Sequence, residues 1–252
     1  MRRVLWLCLA LTLTAAAGPG WVMPEWHRLD LSTPLAPARR DARLEGASRF
    51  ACAQGELIQG AFDSASGTSV LELGGVWRVE AVVDRTDGAV RTIQRPNLRV
   101  VGVADDRVVV RCPVGRYEGG IKTATGLVSF ALSLKDGSLL WTSDPVAVPL
   151  VRQPRCGLVS QGDVFEFYEA PREGPEFAMV KPGLLILRRH LSDGKVVWSR
   201  RLHDPSRVPA DGLKAARADG RELVIRYGYL LMENHQQDRV YRFDRRDGKL
   251  LH

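Results

Sequence analysis

Apolar and polar residues alternate along most of this chain, in short runs interrupted by glycine, aspartate and proline. The segments "LRVVGVADDRVVVRC" (98–112) and "RHLSDGKVVWSRRL" (189–202) show the pattern. A period of two places successive side chains on opposite faces of a strand, so these runs predict antiparallel strands joined by tight turns, with little helical periodicity between them. Asp-Gly stands at the turn in "VVDRTDGAVR", "LSLKDGSLLW", "RHLSDGKVVW" and "FDRRDGKLLH". Both central residues of a type I′ turn need positive φ, which makes Asp-Gly the strongest short hairpin signal. That turn is therefore predicted at Gly88, Gly137, Gly194 and Gly248.

Those glycines are 49, 57 and 54 residues apart, which suggests a repeating unit. Upstream of each lies a second pair of apolar runs around a short polar turn, at Gly55, Asp106, Gly162 and Gly220. The offsets from first to second turn are 33, 31, 32 and 28 residues. Four copies of a two-hairpin, four-stranded unit predict an all-β fold, a β-propeller of about four blades. The blades fall at about 48–95, 96–145, 154–203 and 212–252.

The second hairpin resembles the repeat of the pyrroloquinoline-quinone-type (PQQ-like) β-propeller family, which reads Asp, two variable residues, Thr, Gly, often Lys, and then a Trp on the outer strand. Asp84 and Asp244 match the leading Asp, Lys195 and Lys249 the Lys, and Trp141 and Trp198 the Trp. Ser133 and His190 replace the Asp, an Asp precedes each Gly where the family has Thr, and Thr92 and His252 stand where Trp belongs. The resemblance covers about residues 48–252 and implies a scaffold rather than an activity. It implies that Trp141 and Trp198 are wedges between neighbouring blades. Proteins with this repeat generally have more blades than the four units here, and the last unit stops at "GKLLH". The strand-like segment 24–33, within an N-terminal stretch 18–47, is expected to pair with the final blade and close the ring. An open arc that forms a homodimer, or one that leaves an edge for a partner, is the alternative.

The first residues change the picture of location. Arg2 and Arg3 precede an apolar run that ends on Ala15-Ala16-Ala17, the pattern of a secretory signal peptide over residues 1–17, so the chain is expected to be exported to the periplasm or beyond the cell. The whole chain carries 36 basic and 29 acidic residues, a formal +7. The basic residues are spread along strands rather than gathered into clusters with exposed aromatics, so no nucleic-acid partner is expected. After the leader three cysteines are left, Cys52, Cys112 and Cys156, in an oxidising compartment. Cys112 with Cys156 is the preferred disulfide, Cys52 with Cys112 the rival, and three buried thiols a further alternative.

Catalytic chemistry is sparse. His27, His190, His203, His235 and His252 belong to no nucleophile or metal motif, and no paired Cys or His spacing suggests a metal. The three carboxylates of "EFYEAPRE" (166–173) read as strand alternation running into a proline-bearing loop. No catalytic residue, metal or cofactor is assigned. Recognition is expected in the long links, "PVGRYEGGIKTATG" (113–126), "EAPREGPEFAMVKPG" (169–183), "HDPSRVPADG" (203–212) and "LLMENHQQD" (230–238), which share one end of the blades. Arg116, Tyr117, Lys122, Arg172, Phe177, Arg207 and His235 are the candidate binding residues on that face. The reading is a binding or scaffold protein of the cell envelope with a protein or envelope component as partner. An envelope oxidoreductase or quinone-binding protein using the propeller channel is the alternative.

Overall fold

The structure, a computed structural model, describes residues 21–29, 48–52, 55–59, 70–73, 77–87, 90–94, 98–118, 121–147, 157–169, 183–202, 208–230 and 236–251. Among these there is no helix, and nineteen strands succeed one another. They are β1 (Trp21–Val22), β2 (Glu25–Leu29), β3 (Ser48–Cys52), β4 (Gly55–Gln59), β5 (Val70–Leu73), β6 (Trp77–Asp87) and β7 (Val90–Gln94). Next come β8 (Arg99–Ala104), β9 (Arg107–Glu118), β10 (Ile121–Ser133), β11 (Leu139–Thr142) and β12 (Val146–Ala147). The rest are β13 (Gly157–Ser160), β14 (Asp163–Glu169), β15 (Leu184–His190), β16 (Val196–Leu202), β17 (Val208–Asp219), β18 (Glu222–Leu230) and β19 (Gln236–Asp244).

All pairings are antiparallel and form four sheets. The first runs β2-β6-β5-β4-β3 with β7 also beside β6; the second runs β8-β9-β10-β11 with β1 beside β9 and β12 beside β10. The third is β13-β14-β15-β16 and the fourth β17-β18-β19. Only the third is the predicted four-stranded unit with nothing added. In the first an extra strand, β5, separates the two predicted hairpins.

The three described Asp-Gly turns share one geometry, and it is not type I′. Gly137 N–H donates to Ser133 O at 2.8 Å, Gly194 to His190 at 2.9 Å and Gly248 to Asp244 at 2.8 Å. Each glycine has φ 72°, but Asp136, Asp193 and Asp247 are not at positive φ. Each aspartate instead accepts the N–H two residues on, from Ser138 at 3.0 Å, Lys195 at 3.0 Å and Lys249 at 2.8 Å. The carboxylate thus satisfies a backbone donor within a longer loop, as Asp commonly does in turns. The tight turn with two positive φ values occurs at the first hairpin of the third sheet, Gln161 (46°) and Gly162 (78°). Gly88 lies outside the described residues.

The sheets stack face to face. Their first strands are neighbours in chain order: β3 lies beside β8, β8 beside β13, and β13 beside β17. Gly102 permits one of these approaches, because a Cβ there would stand 2.7 Å from Val159 Cγ2 and 2.9 Å from its backbone nitrogen. Between the first two sheets is an apolar core of Leu57, Leu71, Val108, Val110, Cys112, Val128, Phe130 and Leu132. Between the last two, Phe165, Phe167, Ile186 and Trp198 meet Leu213, Leu223, Ile225, Tyr227 and Phe243. Because β9 is covered on both faces, residues 108–112 are all buried, consistent with their near-continuous apolar run.

The expected closing strand takes another place. Glu25–Leu29 pairs with β6, Glu25 opposite Val82 and Leu29 opposite Arg78, and so belongs to the first sheet, not the last. Trp26 fixes it there, its indole meeting the Phe130 ring edge-on at 4.5 Å inside the first core. The leader residues 1–17 lie outside the described residues.

The turn glycines allow a direct comparison. A Cβ on Gly194 would sit 2.6 Å from the Trp141 ring, and one on Gly248 2.7 Å from the Trp198 ring, whereas Gly162 faces open space. All three have positive φ. Gly162→Ala is expected to cost about 1 kcal/mol from backbone strain alone. Gly194→Ala and Gly248→Ala add displacement of an aromatic ring, bringing the loss to about 2–4 kcal/mol. Urea denaturation of the three variants measures the difference.

Candidate functional site

The second sheet projects beyond the third at the end away from the Asp-Gly turns. β9 and β10 hold 12 and 13 residues against 7 in each of β14 and β15. The segment expected as a loop over 113–126 is thus an extended hairpin, with only residues 119–120 between its strands. Two short strands take up the edges left beside it: Trp21–Val22 pairs with Arg116 and Gly115, and Val146–Ala147 with Leu127 and Gly126. Trp21 and Tyr117 cover glycine backbone; a Cβ on Gly126 would meet the Trp21 ring at 2.6 Å, and one on Gly115 the Tyr117 ring at 2.4 Å.

Three of the seven candidate binding residues are on this hairpin. Lys122 stands opposite Tyr117, and Arg116 opposite Ala124 across a bulge. Lys122 is exposed, while Arg116 and Tyr117 are partly buried. Thr123 Oγ1 donates to Arg116 O at 3.3 Å, tying the two strands near the tip. Arg172, Phe177, Arg207 and His235 lie outside the described residues. The links carrying the last two are shorter than expected, since 208–212 belong to β17 and 236–238 to β19.

Below the hairpin, between the second and third sheets, is a buried polar cluster that the alternating sequence concealed. Glu166 (β14) is fully buried, and Arg111 (β9), Ser129 (β10), Tyr168 (β14) and Arg189 (β15) surround it. Arg189 Nε donates to Glu166 Oε2 at 2.7 Å, Ser129 Oγ donates to Oε1, and Arg111 Nη2 lies 3.5 Å from Oε1. Arg111 also donates to Phe167 O at 3.3 Å, and its guanidinium sits 4.2 Å from the Tyr168 ring centroid. Burial opposes the charge on Glu166, but the two guanidinium groups and the bonds from Ser129 and Arg189 outweigh it and hold its pKa below the usual carboxylate value. Burial pushes the Tyr168 phenol up, so it stays protonated. The cluster is sealed from solvent, and its chemistry is to fix one sheet against the next.

Trp141 and Trp198 join sheets at equivalent places. Trp141 Nε1 donates to Leu191 O at 2.9 Å, from the second sheet to the third, and Trp198 Nε1 to Arg245 O at 3.0 Å, from the third to the fourth. Arg245 also holds Asp163 through Nε at 2.9 Å and Nη2 at 2.8 Å. His190 Nδ1 is 3.9 Å from Asp163, at the exposed end of β15. Cys112 is a free thiol in the first apolar core, where burial raises its pKa and keeps it protonated, and its expected partner is not among the described residues. Cys52 is also free, and Cys156 lies outside the described residues. Among the described residues no group of His, Cys, Asp or Glu is placed to hold a metal ion.

No protein-family model matches the chain, and no curated protein sequence matches it. Among solved structures, BamB from Moraxella catarrhalis is similar at 16% identity and a TM-score of 0.40 over 92% of this chain. The chain spans about half of that protein, 51% of its length.

Glu166 gives a test of the buried cluster. Glu166→Gln keeps the shape but leaves two guanidinium groups without their carboxylate, a loss of about 3–5 kcal/mol. A carboxyl with a depressed folded-state pKa stabilises fully above its unfolded pKa and loses that contribution as pH falls through the folded value. The parent protein is therefore expected to weaken in acid, and Glu166→Gln to show a smaller fall over the same range. Urea melts at neutral and acidic pH measure both.

Proposed function

We propose that this protein is an exported, non-enzymatic scaffold of the cell envelope. Its four sheets are read as blades of a PQQ-like β-propeller arranged as an open arc, and it binds a protein partner at the end carrying the extended hairpin. The observation that supports this reading is the β9–β10 projection: a rigid, edge-supported hairpin that presents exposed Lys122 beside partly buried Arg116 and Tyr117. The buried carboxylates and guanidinium groups are committed to joining sheets, whereas the hairpin exceeds what the stack requires. Aromatic and arginine side chains at the edge of a rigid element are typical anchors for protein recognition. Arg172, Phe177, Arg207 and His235 would complete the surface, because the link from β14 to β15 starts at the same end of its sheet. The apolar leader supports export, and the mature chain is proposed to begin at Gly18.

A photo-crosslinking residue at position 122, compared with one at exposed position 217 on the fourth sheet, tests the surface in the native envelope. The expected result is a discrete protein adduct from 122 and none from 217. Equal labelling from both, or none, overturns the binding reading. A quinone absorbance in the purified protein favours the oxidoreductase alternative instead.

A further inference from the structure

Among the described residues seven large apolar side chains are exposed, and six of them stand at one place in the repeat. Leu139 with Leu140, Val196 with Val197 and Leu250 with Leu251 follow the Asp-Gly turns at the outer edges of the second, third and fourth sheets, each 36–50% exposed. The segments "KDGSLL" (135–140), "SDGKVV" (192–197) and "RDGKLL" (246–251) share one pattern, in which every residue but the glycine is exposed.

A β-bulge accounts for the pairs. Ala131 stands opposite Trp141 but Leu132 opposite Leu139, so Leu140 is the extra residue; Arg188 stands opposite Trp198 and Arg189 opposite Val196, so Val197 is the extra one there. With two residues against one, the alternation lapses for a step and both apolar side chains stay outside the stack. In the fourth sheet Phe243 is bridged to Leu250, and Leu251 N–H donates to Arg242 O at 2.7 Å. The pairs are neighbours, because Trp141, next to Leu140, lies against Gly194, and Trp198, next to Val197, lies against Gly248. They form a rim across three sheets, at the end opposite the extended hairpin. Single exposed aliphatic residues are ordinary, but a contiguous row marks a contact surface.

We propose that this rim is the interface with a second copy of the chain, packed side chain to side chain about a two-fold axis. Its charges nearly balance: the three segments carry four basic and three acidic residues, in a chain of formal +7. Two rims therefore do not repel, and when they run in opposite directions the lysines of one can face the aspartates of the other. A lipid surface is met instead by an excess of Lys and Arg with exposed Trp or Phe, and the segments have neither. Their eighteen residues approach the roughly 20–30 that each side of a stable interface supplies. The bulges withhold the strand edges from backbone pairing, which leaves the side chains to make the contact. This inference does not rest on the partner proposed for the hairpin, which the second copy leaves uncovered.

Sedimentation velocity of the full native chain between about 1 and 100 μM is expected to show a monomer–dimer equilibrium. The triple variant Leu140→Ser, Val197→Ser, Leu251→Ser removes one residue of each pair from both copies and should raise the dissociation constant at least about a hundredfold. Val240→Ser alters the seventh exposed apolar residue, on the fourth sheet away from the rim, and should leave the constant unchanged. Val197→Lys, a single exposed change in the middle segment, should raise it about tenfold or more and gives the reading even if the triple variant does not fold. A parent chain that stays monomeric at about 100 μM overturns the proposal, as does a dimer that Val197→Lys and the triple variant leave intact. Binding of a monomeric parent chain to vesicles of phosphatidylglycerol and phosphatidylethanolamine, lost in the same variants, also overturns it and makes lipid the occupant.

Discussion

A tryptophan at the outer edge of one sheet can reach the backbone of the next only where the facing turn has no side chain, and this constraint recurs through the stack. Trp141 lies against Gly194, and Trp198 against Gly248. Each indole then bonds the carbonyl just after the third strand of the neighbouring sheet, Leu191 or Arg245. The same turn is fastened within its own sheet, since Leu191 N–H donates to Gly162 O at 2.8 Å and Arg245 N–H to Arg221 O at 2.7 Å. Glycine, aspartate and tryptophan thus act as one device: the aspartate fixes the loop, the glycine opens a space, and the indole fills it. A neighbouring sheet can then be placed without long-range strand pairing.

The device sets the spacing of the sheets but not how strongly they adhere. Adhesion depends on what each face presents, and the second sheet presents two different faces. Toward the first sheet β9 offers Val108, Val110 and Cys112; toward the third it offers Val109 and Arg111. A strand buried on both faces can therefore join an apolar layer on one side to a charged layer on the other. Buried ion groups contribute more to the choice of neighbour than to net stability. Arg111 of the second sheet meets Glu166 of the third across the plane between them, at 3.5 Å.

The sequence pattern carried the all-β character and the positions of the repeated hairpins, because period-two alternation and Asp-Gly are local signals. Turn type was less legible, since the carboxylate of Asp136 or Asp193 bonds within the loop and removes the need for positive φ at that residue. The extended hairpin looks like a loop in the sequence because Gly115, Gly119, Gly120 and Gly126 suggest turns, and nothing local shows that Trp21 and Tyr117 lie over two of these glycines. Glu166 is hidden in the sequence for a deeper reason. In "DVFEFYE" it shares a face with Val164 and Tyr168, while Asp163, Phe165, Phe167 and Glu169 take the other, so neither phase is wholly polar or wholly apolar and the carboxylate does not stand out. Alternation shows which face a side chain takes, not whether a second sheet covers that face.

The fourth sheet shows the complementary case, a polar face left in water. Along β19, Val240 is 53% exposed while Tyr241 and Phe243 are buried, so only one side of the sheet is used in packing. The other side carries paired charges: Lys214 with Asp238 at 2.9 Å, Arg226 with Asp238 at 3.7 Å and Arg242 with Glu222 at 3.1 Å. Solvated pairs of this kind add little stability, but covering them would require desolvating every member. Arg49 and Glu56 pair in the same exposed manner on the first sheet. Closing four sheets into a ring would press two such faces together, and β2 is already committed to β6. A polar outer face of this kind resembles those that terminate other repeat arrays.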